Sequence, residues 1–349
     1  MNPADGPPDG AHFLGAPAAT GTIRSEIDDF RVWECPLVEP SGEGNHLWLE
    51  IEKRAANTDW VAGRLAALAG VPRRDVGYAG MKDRHAVTTQ WFSVGLQEAA
   101  SDDWQAWRIE GVKVLQARRH GRKLRRGTLA GNRFRIVVRD LRGDSDELNR
   151  RLERIARQGI PNYFGSQRFG HGGRNLGRAR HWLLSGGRVR KPQRGILMSA
   201  ARSFLFNQVL SARIEQGNWN RLLDGELANL DGRRAVFACS LPDEELERRC
   251  AGFDIHPTGP LPGRGRDAPQ RDAAAVERAA LAGEEALVEA LERAGAEAAR
   301  RSLRVRPAGL ESEFDGDSLV LAFSLPAGSY ATSLLRELVF AQDASTLHP

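Results

Sequence analysis

His46-Leu47-Trp48-Leu49-Glu50-Ile51, followed by Asn57-Thr58-Asp59-Trp60-Val61 and a stretch closing on Gly70 and Pro72, sets two hydrophobic periods side by side. Leu47, Leu49 and Ile51 alternate with Trp48 and Glu50, the period of a half-buried strand. Asn57, Thr58 and Asp59 offer N-caps to a segment whose Val61, Leu65 and Leu68 recur at i, i+4 and i+7, so a helix follows the strand. Phe30 and Val32 predict a strand upstream. Phe134 and Ile136 alternate against arginines between Arg133 and Arg139 and predict another. Ser145 opens a helix carrying Leu148, Leu152 and Ile155. Leu319, Leu321 and Phe323 predict a late strand, and Tyr330 to Leu338 a closing helix. The pattern is mixed α and β.

Between these regions the signal changes. Gly159 to about Leu197 is rich in Gly, Arg and aromatics, and Ala200 to Arg213 is helical in pattern. His256-Pro257-Thr258-Gly259-Pro260-Leu261-Pro262-Gly263 predicts a fixed-turn loop, and Ala273 to Arg300 an Ala-rich acidic helix. The Pro/Gly-rich residues 1–18 predict a disordered tail without the basic and apolar regions of a secretory signal.

The chain has 349 residues, 41% of them apolar, enough for one large or two medium cores. Its net charge of +5 is unevenly placed. From Arg108 to Arg142, twelve Arg and Lys face two acids, Glu110 and Asp140, a local +10, so the remainder carries 5 − 10 = −5. Arg122, Lys123, Arg125 and Arg126 form the centre of this stretch. Guanidinium forks bind phosphate oxygens, and a nearly single-signed run repels itself unless an anion is present, which points to a nucleic-acid partner. Cys35, Cys239 and Cys250 are odd in number and lack C-x-x-C spacing, fitting a reducing cytoplasmic setting without a disulfide framework. No apolar run reaches membrane-spanning length. The eight histidines show no metal-ligand spacing, and Gly170-His171-Gly172-Gly173 lacks the third glycine of a dinucleotide loop, where Asn175 stands. Neither a metal nor another cofactor is expected, and no obligate protein partner is evident.

Gly77-Tyr78-Ala79-Gly80-Met81-Lys82-Asp83-Arg84-His85 concentrates reactive side chains. Two glycines before a carboxylate flanked by Lys82 and Arg84 suit a turn that exposes an ionised Asp83, a form able to attack carbon or remove a proton at neutral pH. A plain surface turn also accommodates these residues. Pro161-Asn162-Tyr163-Phe164-Gly165-Ser166-Gln167-Arg168-Phe169-Gly170 interleaves aromatics with Arg168 and amides, suited to stacking on bases or to a Gly-hinged aromatic core.

Taken together, Asp29-Phe30-Arg31-Val32, Gly44-Asn45-His46-Leu47, Asn57-Thr58, Gly77 to Gln90, Lys123 to Phe134, Pro161 to Gly170, His256 to Gly259 and Gly328-Ser329-Tyr330-Ala331-Thr332 resemble the TruD-type tRNA pseudouridine synthases, from about Ile23 to Leu338. The resemblance implies an α+β fold: a catalytic domain with a mixed, largely antiparallel sheet, an inserted α/β domain, and RNA in a cleft between them; the Gly-rich shift after Ile155 and the return of strand pattern at Arg304 to Arg306 set their bounds at 19–158 plus 304–349 and 159–303. It implies Asp83 as the catalytic aspartate, Asn132 and Phe134 lining the uridine pocket, and a target at position thirteen of the tRNA D arm. The reaction would be an isomerisation without cofactor, in the cytoplasm. Asp83 would attack C1′ or remove the C2′ proton, the resemblance favouring the second. Tyr330 is a second stacking candidate, and Lys82, Arg84 and Arg168 are expected to touch substrate or stabilise charge. Two rival classes are a non-catalytic RNA-binding protein, which has no use for the Asp83 turn, and a phosphodiester hydrolase using Asp83 with His85 or His120, which would normally show more carboxylates.

Overall fold

The computed structural model describes residues 9–96, 103–233, 235–265 and 268–346. Contacts divide the chain into two compact units: a sheet unit of Ala19–Asp144, Pro307–Gly328 and the chain from Val339 on, and a helical unit of the chain up to Ala18, Ser145–Arg306 and Ser329–Leu338.

In chain order the sheet unit begins with β1 (Ala19–Ile23), β2 (Phe30–Pro36), β3 (His46–Arg54), α1 (Thr58–Ala69), β4 (Val76–Tyr78), β5 (Val87–Gly95), β6 (Val112–His120) and β7 (Leu129–Gly143). Leu47, Leu49 and Ile51 of β3 face Val61 and Leu65 of α1, burial that contributes roughly 1.5–3 kcal/mol per large side chain. Trp48 takes the other face with Trp91 and Leu124. Asn57 caps α1 by accepting from the Asp59 N–H, and Gly70 closes it.

The helical unit continues with α2 (Ser145–Gln158), β8 (Ile160–Pro161), α3 (Arg174–Ser185), α4 (Lys191–Glu215), β9 (Glu226–Leu230), β10 (Val236–Cys239), α5 (Glu244–Ala251), β11 (Ile255–Leu261), α6 (Arg271–Ala280), α7 (Glu285–Arg293), β12 (Ala299–Ser302) and β13 (Arg304–Val305). β14 (Ala308–Asp315) and β15 (Ser318–Pro326) return to the sheet unit, α8 (Thr332–Leu338) belongs to the helical one, and β16 (Val339–Asp343) ends in the sheet. Phe204, Leu205, Phe206 and Leu210 of α4 form the centre of the helical unit's core with Leu176, Leu287 and Leu291.

The sheet is mixed and mostly antiparallel, in the order β14-β15-β7-β2-β5-β3-β6, with β1 pairing β7 and β16, and β4 pairing β5. Only β2 with β5 and β1 with β16 run parallel among the described strand pairs. Register sets Val32 opposite Phe134 and Phe134 opposite Phe323, so one row of apolar side chains crosses three strands. Among the described residues no helix is long and apolar enough to cross a membrane.

Several expectations are corrected. Within the expected disordered tail, residues 9–18 are packed: the Ala11 N–H donates to Ser211 Oγ, the Tyr163 hydroxyl donates to the Ala11 carbonyl, and Leu14 is buried. Its backbone groups are satisfied by side chains from α4 and beyond, which composition does not reveal. Residues 1–8 lie outside the described part.

The expected loop from His256 is largely strand β11, between β9 and β12 in a four-stranded sheet. It changes partner along its length, Ile255 to Pro257 pairing with β9 and Thr258 to Leu261 with β12. Pro257 joins through its carbonyl, which accepts from the Leu303 N–H. A Cβ on Gly259 would meet Leu303 Cδ2 at 2.9 Å and Phe206 Cε2 at 3.0 Å, so this glycine serves packing rather than a turn.

The single helix expected over Ala273–Arg300 is two helices and a strand. α6 stops at Ala280 with Leu281 as its cap, Gly283 at φ 87° turns the chain before α7, and Gly295 at φ 83° follows the cap of α7, both glycines in the left-handed region that side chains disfavour. The helix predicted over Ala200–Arg213 extends to 25 residues as α4. The contacts also place α2 and α8 with the helical unit, a boundary different from the expected 159–303.

Candidate active site

Between β4 and β5 the chain makes the turn that carries Asp83. The turn is fixed from α1 and β5: the Lys82 N–H donates to Thr58 Oγ1, the Thr58 hydroxyl donates to Gln90 Oε1, and Gln90 Nε2 donates to the Gly80 carbonyl. Thr58 and Gln90 are both fully buried, so the network is held by packing. Asp83 Oδ1 accepts from the His85 N–H at 3.1 Å, a local carboxylate turn. Oδ2 lies 2.7 Å from Arg24 Nη2, and the Asp83 side chain stays 25% exposed while Arg24 is 6% exposed. The structure thus presents one charged oxygen edge, aligned by a nearly buried cation.

Arg24 was not foreseen from sequence. It follows β1 with φ 58°, lies 4.1 Å over the Phe30 ring, and reaches Asp343 Oδ2 at 2.5 Å with its other terminal nitrogen. Asp343 Oδ1 is in turn held by the Ser345 hydroxyl and N–H. One guanidinium therefore spans two carboxylates.

Lys53, the second unforeseen cation, is fully buried and donates to the Ala56 and Asp83 carbonyls at 2.7 and 2.9 Å. Burial pushes its ammonium down to about 8, with Lys82 acting in the same direction and Asp83 opposing. Between pH 8 and the ordinary lysine range the unfolded chain keeps this proton while the folded chain releases it, so the group's contribution to stability rises with pH there. The stability of wild type minus Lys53→Met should therefore increase above pH 8, by at most about 1.4 kcal/mol per pH unit. Denaturant midpoints of the two proteins across that range check it; a constant difference would mean that the folded protein keeps Lys53 charged.

Lys82, expected at the substrate, is engaged by a carboxylate of the protein itself. Its ammonium pairs with Glu34 Oε2 at 2.7 Å, with the two side chains 6% and 1% exposed, and Glu34 also accepts from the Trp91 N–H. It anchors the turn to β2. Arg84 is exposed. Phe134 is 7% exposed and stacks on Phe323 at 5.4 Å, with Phe30 edge-on at 6.5 Å, so it adjoins the ring that carries Arg24. Asn132 sits opposite Glu34 on β2, and its buried Oδ1 has no hydrogen-bond partner among the described residues.

Arg122, Lys123, Arg125 and Arg126 lie on the loop between β6 and β7. Arg122 and Arg125 are exposed, Lys123 donates to the Arg74 carbonyl, and Arg126 donates to the Tyr78 hydroxyl. The loop is bound to the Asp83 turn through the Gly127 N–H, which donates to the Ala79 carbonyl.

Arg168 and Tyr330 come together in the helical unit. Arg168 Nε donates to the Tyr330 hydroxyl at 3.2 Å, and both side chains contact the Phe164 ring. Arg301 covers the same ring at 4.1 Å; burial brings its pKa down to about 10, and it donates to the Asn162 carbonyl and Oδ1. Among the described residues no group of three or more His, Cys, Asp or Glu is placed to hold a metal ion.

Comparison with known proteins converges on one family. The family model described as tRNA pseudouridine synthase D (TruD) matches residues 11–186 and 176–338. The chain is 50% identical over 327 residues to a tRNA pseudouridine synthase D of Methylococcus capsulatus, covering 93% of this chain and 92% of that one. A relative of the same name from Xanthomonas campestris is 47% identical over 350 residues, covering 96% and 95%. A TruD crystal structure from Methanosarcina mazei shares the fold at a TM-score of 0.71 and 23% identity, covering 94% of this chain and 95% of that chain. With the match running through both units and the whole Asp83 turn, the chain belongs to the tRNA pseudouridine synthase D (TruD) family.

Proposed function

We propose that this protein isomerises a uridine of tRNA to pseudouridine, at position thirteen of the D arm, with Asp83 as the catalytic group. The observation that carries the proposal is the Asp83 turn: a part-exposed carboxylate aligned by Arg24, on a backbone fixed by Lys53, Thr58 and Gln90. Preorganisation of this kind suits a group that must meet one carbon or one proton. The reaction breaks the C1′–N1 bond, turns the uracil and joins C5 to C1′, and the hydrogen at C5 leaves to solvent as a proton enters at N1. Asp83 serves either by attacking C1′ or by removing the C2′ proton. No electrons are exchanged, so the isomerisation itself calls on no redox cofactor.

In this reading the target base leaves its stack, at a cost of a few kcal/mol. Asn132, with its unpaired oxygen, reads a uracil N–H, and Phe134 supports the ring. The exposed cations of the 121–128 loop bind phosphates. Arg168 and Tyr330 offer a second stacking and hydrogen-bonding set, and the helical unit, including the stretch 159–303, grips the tRNA.

Tritium release from tRNA labelled at C5 of uridine tests the function. Release with the RNA chain intact is expected; chain cleavage would indicate a hydrolase, and binding with neither would indicate a non-catalytic protein. Phe134→Leu, on the same assay, should lower the single-turnover rate by an amount corresponding to about 1–3 kcal/mol of base stacking while changing the melting temperature little. A large fall in melting temperature with a near-normal rate at low temperature would make Phe134 a core residue only.

A further inference from the structure

Beside β4 lies a hollow of about 420 Å3, lined by Arg73, Arg74, Tyr78, Arg125 and Arg126 together with Asp59 and the root of the loop after β6. It does not contain Asp83. Tyr78 organises it: the hydroxyl donates to Asp59 Oδ1 at 2.6 Å and accepts from Arg126 Nη2 at 2.9 Å, while the guanidiniums of Arg126 and Arg73 sit 5.4 and 5.7 Å from the ring centre. Arg73 also donates to Asp59 Oδ1, at 2.7 Å. The Tyr78 hydroxyl, then Arg73, hold the Asp59 carboxyl below the usual carboxylate range, so it stays charged and holds Arg73 directly and Arg126 through the Tyr78 hydroxyl.

We infer that this hollow is a phosphodiester-binding site for the RNA backbone, distinct from the nucleoside site at Asp83; the inference rests on the RNA-modifying function proposed above. Asp59 is the one acid among its lining residues, against four arginines and Lys123. Each guanidinium has five N–H donors. Among the described residues Arg73 commits donors only to Asp59 and the Val76 carbonyl, and Arg74 and Arg125 are exposed with no acidic partner. Two held forks, Arg73 and Arg126, with the uncommitted donors of Arg74 and Arg125 beside them, match the spread oxygens of a phosphate.

Position also favours RNA over an acidic protein. A Cβ on Gly77 would fall 2.2 Å from the Leu124 carbonyl, so only glycine lets the loop close on β4. The hollow is thereby built onto the strand that leads into the Asp83 turn. Thr58 holds that turn, and the next residue, Asp59, belongs to the hollow. A backbone phosphate seated here fixes the RNA at a set distance from the reacting nucleoside.

The experiment uses the full chain with Arg74→Gln, which removes no described side-chain contact, and with Arg73→Gln/Arg74→Gln. Binding of unmodified tRNA is measured across a salt series, and turnover by tritium release. The slope of log affinity against log salt should flatten by about 0.7–0.9 per lost phosphate contact, with KM raised and kcat at saturating tRNA retained. An unchanged slope would overturn the site, as would a raised KM without a change in slope. Displacement of tRNA by polyglutamate as effective as that by an RNA oligonucleotide of equal charge would reassign the hollow to an acidic protein and overturn it too. Failure of the function proposed above would appear separately, as absence of tritium release from the unmutated protein.

Discussion

Asp83→Asn should abolish turnover while leaving fold and tRNA affinity nearly intact. The amide keeps the shape of the carboxylate, and its oxygen can still accept from the His85 N–H or from Arg24, which retains Asp343 as an ionic partner. What is lost is the charge. Removal of a positioned proton-transferring group costs about 10^2–10^4-fold in rate, and loss of a nucleophile costs at least as much. The exposed cations of the 121–128 loop are untouched, so binding should persist. The measurement is a single-turnover rate beside a tRNA binding constant on one preparation. Residual isomerisation within an order of magnitude of wild type would falsify the assignment of Asp83 as the catalytic group.

The second large effect is on stability. Lys82→Met strands the Glu34 carboxylate, whose side chain is 1% exposed, with the Trp91 N–H as its remaining polar contact among those described. Breaking a buried pair on one side costs about 3–5 kcal/mol, because the remaining charge is left without compensation. For a chain of this size the melting temperature should fall on the order of 10 °C. Replacing both partners, Glu34→Gln with Lys82→Met, removes the stranded charge and should restore much of the loss. The result separates two roles for Lys82. A lysine serving RNA phosphate would raise KM on substitution and leave the melting temperature alone, and that outcome would refute the anchoring role.

The elements readable from sequence share a physical basis. α1, β7 and β15 bury mainly one face, and β3 buries one face continuously with Trp48 alone packed on the other, so the burial pattern repeats within two to four residues and short-range periodicity reports it. The Asp83 turn was legible for a similar reason: its glycines, its flanking charges and its carboxylate are neighbours in the chain. The Gly/Pro density of His256 to Gly263 misled because glycine and proline mark close approach and changes of strand partner as well as turns. Residues 9–18 misled because their order comes from donors and acceptors far along the chain.

By itself, then, the sequence determined the mixed α and β character, the amphipathic faces, the basic loop and the charged, Gly-flanked turn of Asp83, and through its resemblance the family. Tertiary structure alone decided what surrounds the carboxylate. Arg24 meets Asp83 across 59 residues and Asp343 across 319, and Lys82 meets Glu34 across 48. These pairings depend on strand order and register, with β1 beside β16 and β2 beside β5, and no local rule encodes them. The same folding pairs Lys82 with Glu34, because the strand brought next to its turn carries that carboxylate.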